Sequence, residues 1–399
     1  MRNPFPLVAM ILPSSLHKFR DYREVLMSSI NRRTLLGSSG AMLAFSVAAS
    51  NPAFAAWPLA GKGMPKEAAD TPHICLGPIA DAQINPAGIR RYTQLGLTHI
   101  ILNGGGFPWD ADTLKAKVKI LKENGLAVGD IGLPWTGESG TYMRDIIYGR
   151  PGRDRAIEDV KKSVRAAGAA GIPIVEYNFY VHRANEGYFD HPDPARGNAA
   201  VESFDYARMK DARLLDDEIV QKIDDTWAHL DYFLKAVVPV AEKAGVRLAL
   251  HPNDPPAPLS AGSQQIMATL AGWKKMVGLV DSPSNCIIFD CGVTRELGEN
   301  PVEVAHWFAS RDRIGHVHWR NVQLRKPYVD YTEVYPDNGD NNMLAVMKAL
   351  VAEKYRYMIF PEHARGLDVD RDLKTDSYAA WAYHVGYCRA MLQTALMER

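Results

Sequence analysis

The chain has 399 residues, 46 Lys+Arg against 46 Asp+Glu, and 47% hydrophobic side chains. That much apolar material at zero net charge excludes a disordered chain, and the missing basic excess argues against a nucleic-acid partner. Four cysteines, Cys75, Cys286, Cys291 and Cys388, include no CxxC pair, so neither a disulfide scaffold nor a structural zinc module is indicated.

The first segment reads as an address rather than as fold. Arg32-Arg33 precede a modest apolar run, LLGSSGAMLAFSVAA at 35–49, and a small-x-small site follows at Ala53-Phe54-Ala55. Together these predict a twin-arginine-type signal over residues 1–55, read by the twin-arginine export machinery and giving a periplasmic protein. The run is too short and too rich in Gly and Ser for permanent membrane insertion. Met27 is an alternative start. Residues 1–55 hold six basic and two acidic side chains, so the remainder carries a net charge of −4. Residues 56–72, rich in Gly, Pro and Ala, read as a linker.

From His73 onward, short β-branched runs alternate with longer segments of helical period. Strands are predicted at 73–79, 98–103, 126–134, 172–179, 246–253, 285–292, 313–321 and 357–363. Helices fall at 111–124, 153–170, 215–244, 263–280, 300–310 and 341–354, and KENG and AEKAG act as helix stops. Eight such units predict an α/β fold, a (β/α)8 TIM barrel, as a single domain over 73–399. A doubly wound sheet would show a Gly-rich phosphate turn after its first strand, and GPIADAQ is not one. The polar segment Tyr180–Leu214 is an insertion placed to cover a site at the strand ends.

Chemistry in such a barrel sits at the C-terminal ends of its strands. Those positions hold Glu176/Tyr177/Asn178, His251, Cys291, His316/His318 with Arg320, and Glu362/His363. Strands five to eight each offer one metal ligand: His251, Cys291, His318 and Glu362. Thiolate, imidazole and carboxylate together suit Mn²⁺, Zn²⁺ or Fe²⁺. Alternation puts His316 on the same inward face as His318, as a supporting residue or a core histidine. Singly, each residue reads better as packing or capping. Jointly, the coincidence favours a metal. No GxSxG, HExxH or P-loop motif competes.

These residues resemble the mannonate dehydratase family of metal-dependent (β/α)8 enzymes. The likeness runs through GRPGRDRAIEDVKKSVRAAGAAGIPIVEYNF at 149–179, HPNDPP at 251–256, DCG at 290–292, HVHWRN at 316–321 and PEHARG at 361–366. The resemblance implies His251, Cys291, His318 and Glu362 as ligands of Mn²⁺ or another divalent ion such as Fe²⁺. It implies His363 and Tyr378 as acid/base groups. Arg183, Arg320, Asn178 and Asn253 would face the substrate. The chain departs from the family pattern at Asn253 and Glu362, where the family has Asp, and after Phe179, where a tryptophan-containing loop is missing. The implied activity is dehydration of a D-mannonate-like aldonic acid to a 2-keto-3-deoxy acid. Expected partners are that small sugar acid, the export machinery and, at most, further copies of the chain. The alternatives are a xylose-isomerase-like isomerase or epimerase, for which a cysteine ligand is less expected, and a non-catalytic sugar-acid-binding barrel.

Overall fold

The computed structural model describes residues 63–134 and 141–399. The predicted signal at 1–55 and the first part of the linker, to residue 62, lie outside the described residues. Met64–Arg399 forms one compact unit. Among the described residues it has twelve strands: β1 (His73–Ile79), β2 (His99–Leu102), β3 (Ala127–Gly132), β4 (Ile174–Tyr177), β5 (Tyr188–Asp193), β6 (Ala199–Asp205), β7 (Arg247–Leu250), β8 (Asn285–Asp290), β9 (Ile314–His318), β10 (Asn321–Lys326), β11 (Asp330–Val334) and β12 (Met358–Phe360). Eight of them, β1–β4, β7–β9 and β12, pair in parallel and close into a barrel. All eight lie inside the ranges predicted from sequence. The fold is the (β/α)8 barrel.

Strand alternation builds two layers. Cys75, Ile101, Ile174, Ala249, Ile288 and Met358 pack together as one small cluster. Their neighbours, among them Leu248, Leu250, Ile287 and Phe289, pack into the larger apolar cluster shared with the helices. The helix stops behave as read: Gly245 ends the helix Ile223–Ala244 in the left-handed conformation, φ 67°, where a side chain would be strained. That helix starts eight residues later than predicted, because 215–222 is irregular.

The insertion is not a plain loop. It supplies β5 and β6, which join the β10–β11 hairpin in a four-stranded antiparallel sheet ordered β10-β11-β6-β5. β10 lies within one residue of Arg320, so this sheet is continuous in the chain with the end of β9. Among the described residues no helix is long and apolar enough to cross a membrane.

Candidate metal centre and its charge network

Four donors converge where β7, β8, β9 and β12 end: His251, Asp290, His318 and Glu362. One ligand atom from each lies within 4.8 Å of the others. His251 Nε2 is 3.1 Å from His318 Nδ1, which is 2.9 Å from Glu362 Oε1 and 3.8 Å from Asp290 Oδ2. Burial, then His251 and His316, push the His318 imidazole well below its ordinary pKa, so it is neutral and offers a lone pair. His318 Nε2 and Glu362 Oε1 are buried without a hydrogen-bond partner. Two imidazoles and two carboxylates with unspent lone pairs fit a divalent transition ion.

The donor from β8 is Asp290, not Cys291. In β8, Ile288 packs in the small barrel cluster while Ile287 and Phe289 pack toward the helices, so alternation turns Asp290 inward and Cys291 outward. Cys291 opens the helix Cys291–Glu296 and is buried in the large apolar cluster, where burial, then Asp290, push its thiol far above the usual range. It sits as a small hydrophobe. The signal for Asp290 was present in NCIIFDCG, since two residues beyond the inward Ile288 is position 290.

Arg320 is also placed differently from expectation. It is 2% exposed, and its guanidinium is spent on the protein's own carboxylates. Nε is 3.1 Å from Asp290 Oδ2 and 3.3 Å from Glu362 Oε1. Nη1 is 2.7 Å from Glu296 Oε1 and 3.4 Å from Glu333 Oε1, and Nη2 is 3.1 Å from Asp254 Oδ2. No fork is left for a substrate carboxylate. Gly292 makes room for it, because a Cβ there would lie 2.6 Å from Nη1. Burial alone would raise the Asp254 carboxyl, but Arg320, with His363 and Arg183, holds it well below the carboxylate range. Removing the hub would strand several buried carboxylates. Arg320→Met is therefore expected to cost about 3–5 kcal/mol, read as a lower denaturation midpoint of the metal-free protein; an unchanged midpoint would refute the hub role.

His363 stands beside the last donor, with Nε2 3.7 Å from Glu362 Oε2 and Nδ1 hydrogen-bonded to Glu333 on β11. Its backbone is left-handed, φ 55°, and its side chain keeps 30% exposure. Burial pulls its pKa down, but Glu333 and Glu362 outweigh that and raise it to about 10.

The other expected residues fall as follows. Arg183 Nε donates to the Asp254 carbonyl at 3.2 Å, and with Asn178 it lines a cavity of about 230 Å³ that Tyr180 and His182 also border. The Tyr180 hydroxyl is 3.4 Å from His251 Nδ1, so this cavity adjoins the centre. Asn253, 2% exposed, accepts from Met267 N at 2.7 Å and braces its loop instead of facing a substrate. Tyr378 is not brought to the centre: it begins the last helix, Tyr378–Met397, and its hydroxyl donates to the Arg91 carbonyl at 2.8 Å. His316 lies one layer deeper, with Nδ1 2.5 Å from Asp130 Oδ2 and 3.6 Å from Glu176 Oε2. Burial and Glu176 raise the Asp130 carboxyl to about 7.

A closed (β/α)8 barrel with a cation-ready donor set at its C-terminal strand ends defines a metal-dependent barrel enzyme. The family model described as D-mannonate dehydratase (UxuA) matches residues 200–396. Mannonate dehydratase from Streptococcus suis (strain 05ZYH33) is 31% identical over 304 residues, 70% of this chain and 81% of that protein. The Thermotoga maritima mannonate dehydratase is 31% identical over 263 residues, 57% of this chain and 72% of that one. A solved mannonate dehydratase structure from Streptococcus suis serotype 2 superposes with a TM-score of 0.70 at 26% identity, covering 82% of this chain and 94% of that one. The chain belongs to the mannonate dehydratase family. It is a hydro-lyase acting on a sugar acid, and the family is metal-dependent. D-psicose 3-epimerase from Clostridium cellulolyticum H10, at 12% identity and a TM-score of 0.53, shares the fold alone.

Proposed function

We propose that the chain dehydrates an aldonic acid of the D-mannonate type to its 2-keto-3-deoxy acid, with Mn²⁺ or Fe²⁺ held by His251, Asp290, His318 and Glu362. The convergence of those four donors, with His363 Nε2 3.7 Å from Glu362 Oε2, carries the reading. The reaction takes a proton from C2, next to the carboxylate, and passes it to solvent water, and it expels the hydroxyl on C3, while solvent returns a proton to His363 after each turnover. A divalent ion bound here supplies charge stabilisation for the carboxylate as C2 loses its proton. His363 gives the departing C3 hydroxyl a proton, so that water leaves, and Glu333 holds its ring in place. The enol left behind tautomerises to the ketone. The cavity bordered by Asn178, Tyr180 and Arg183 adjoins the donors and receives the rest of the sugar chain.

The test is turnover on a panel of aldonic acids that includes D-mannonate, followed by formation of a 2-keto-3-deoxy acid. A chelator is expected to abolish the rate and added Mn²⁺ or Fe²⁺ to restore it. Ketoses belong on the same panel, because with Cys291 outside the donor set a cysteine ligand no longer separates a dehydratase from an epimerase. Epimerisation of a ketose without dehydration of any acid would overturn the proposal.

We also propose export to the periplasm, on the strength of Arg32-Arg33 and Ala53-Phe54-Ala55. Changing both arginines to lysine is expected to leave the precursor in the cytoplasm. Processed protein in the periplasm of that variant would refute it.

A further inference from the structure

At the opposite, N-terminal face of the barrel, His73 opens β1, His99 opens the adjacent β2, and Glu67 lies on the segment leading into β1. One ligand atom from each lies within 4.8 Å of the other two. The imidazole rings are tilted 31° to one another, with centroids 4.1 Å apart. Two imidazolium ions would repel each other in that arrangement. Burial, then His73, lower the His99 pKa to about 4, so its ring is neutral at ordinary pH.

The remaining lone pairs point to an ion. Thr98 Oγ1 donates to Glu67 Oε2 at 3.2 Å and lies 2.9 Å from His99 Nδ1. The hydroxyl has one hydrogen, so His99 donates from Nδ1 and keeps a bare Nε2, the arrangement by which an outer partner orients a metal-binding histidine. His73 Nδ1 is buried, has no hydrogen-bond partner, and sits 3.6 Å from Glu67 Oε2. The Glu67 side chain is only 12% exposed, and its nearest cation, Arg389, is 4.0 Å away with its guanidinium donating to the Leu95 and Gly96 carbonyls. A carboxylate so enclosed and so weakly paired is poorly compensated. A cavity of about 390 Å³, lined by Glu67, Thr98 and Arg389 among others, gives a route in.

We propose that Glu67, His73 and His99 form a second metal site, for Zn²⁺ or a similar borderline divalent ion, with water completing the shell. Two imidazoles and one carboxylate are a common protein ligand set for zinc. Its role is structural: the ion ties the segment before β1 to the first two strands, on the barrel face where residues serve stability rather than catalysis. The site shares no residue with the centre at the other face, so its failure and that of the proposed function are separable.

Chelator-stripped full-length protein is dialysed against Zn²⁺ and analysed for metal. The wild type is expected to hold about two equivalents per chain, and His99→Gln and Asp290→Asn about one each. His99→Gln should keep its turnover on the aldonic acid, and it should lose the rise in Tm that zinc gives the wild type. Equal zinc content in the wild type and His99→Gln would overturn the proposal. Zinc-soaked crystals of the wild type need no variant: anomalous density within coordination distance of Glu67, His73 and His99 supports the site, and density confined to the other face refutes it.

Discussion

Asp290→Asn is expected to strip the metal from the catalytic centre, while Cys291→Ala leaves it bound. Both residues are fully buried and adjacent, but only Asp290 turns toward His318 and Glu362. Asparagine preserves the helix cap, though it gives up the charge that Asp290 shares with Arg320. Asp290 caps the helix Cys291–Glu296 by accepting from Val293 N at 2.8 Å, and asparagine is an equally good cap. The substitution therefore removes a charge and a ligand with little change of shape. Outer partners of metal ligands already cost about 10–100-fold in affinity when lost, so loss of a ligand itself should exceed 100-fold, with turnover falling alongside. Cys291→Ala should cost on the order of 1 kcal/mol of packing and leave the metal titration unchanged. Elemental analysis of both variants after gel filtration decides. Metal retained in Asp290→Asn and lost in Cys291→Ala would return the ligand to the thiol.

The barrel was legible because its signal is repeated. Each βα unit is short, β-branched strands alternate with helical periods, and one misread element does not change the closure. Three of the four clustered groups were legible for a similar reason, since His251, His318 and Glu362 each stand at the C-terminal end of a barrel strand, β7, β9 and β12. Position 290 against 291 was decided by parity, which a strand-end motif such as DCG does not carry. Arg320 was misread because sequence shows a cation near the ligands but not its partners. All five of its carboxylates, Asp254, Asp290, Glu296, Glu333 and Glu362, come from other elements. Glu333 gave no sequence signal at all: it lies in a hairpin that pairs with the insertion, and only the long-range β11–β6 register brings that sheet together. Residues that act through non-local pairing are the ones a linear reading misses.

That sheet bears directly on the proton chemistry. Glu333 at the β11 end meets His363 and lies 3.4 Å from Arg320, so one carboxylate joins the charge hub to the proton donor. His363→Asn is expected to lower kcat by about 10²–10⁴-fold while leaving KM and metal content nearly unchanged. The backbone tolerates it, since asparagine, like histidine, is among the residues that adopt φ 55° most readily. Glu333→Gln should act through the same proton without removing it. With its negative neighbour gone, the His363 pKa falls from about 10, so an acid that must be protonated fails earlier as pH rises. The alkaline limb of the kcat profile should therefore move to lower pH in Glu333→Gln, and disappear with the activity in His363→Asn. If His363 merely orients Glu362, His363→Asn would weaken metal binding instead, and excess metal would restore its rate. Full rescue by metal, or an unmoved alkaline limb in Glu333→Gln, would remove His363 from the chemistry and leave it a support of the last ligand.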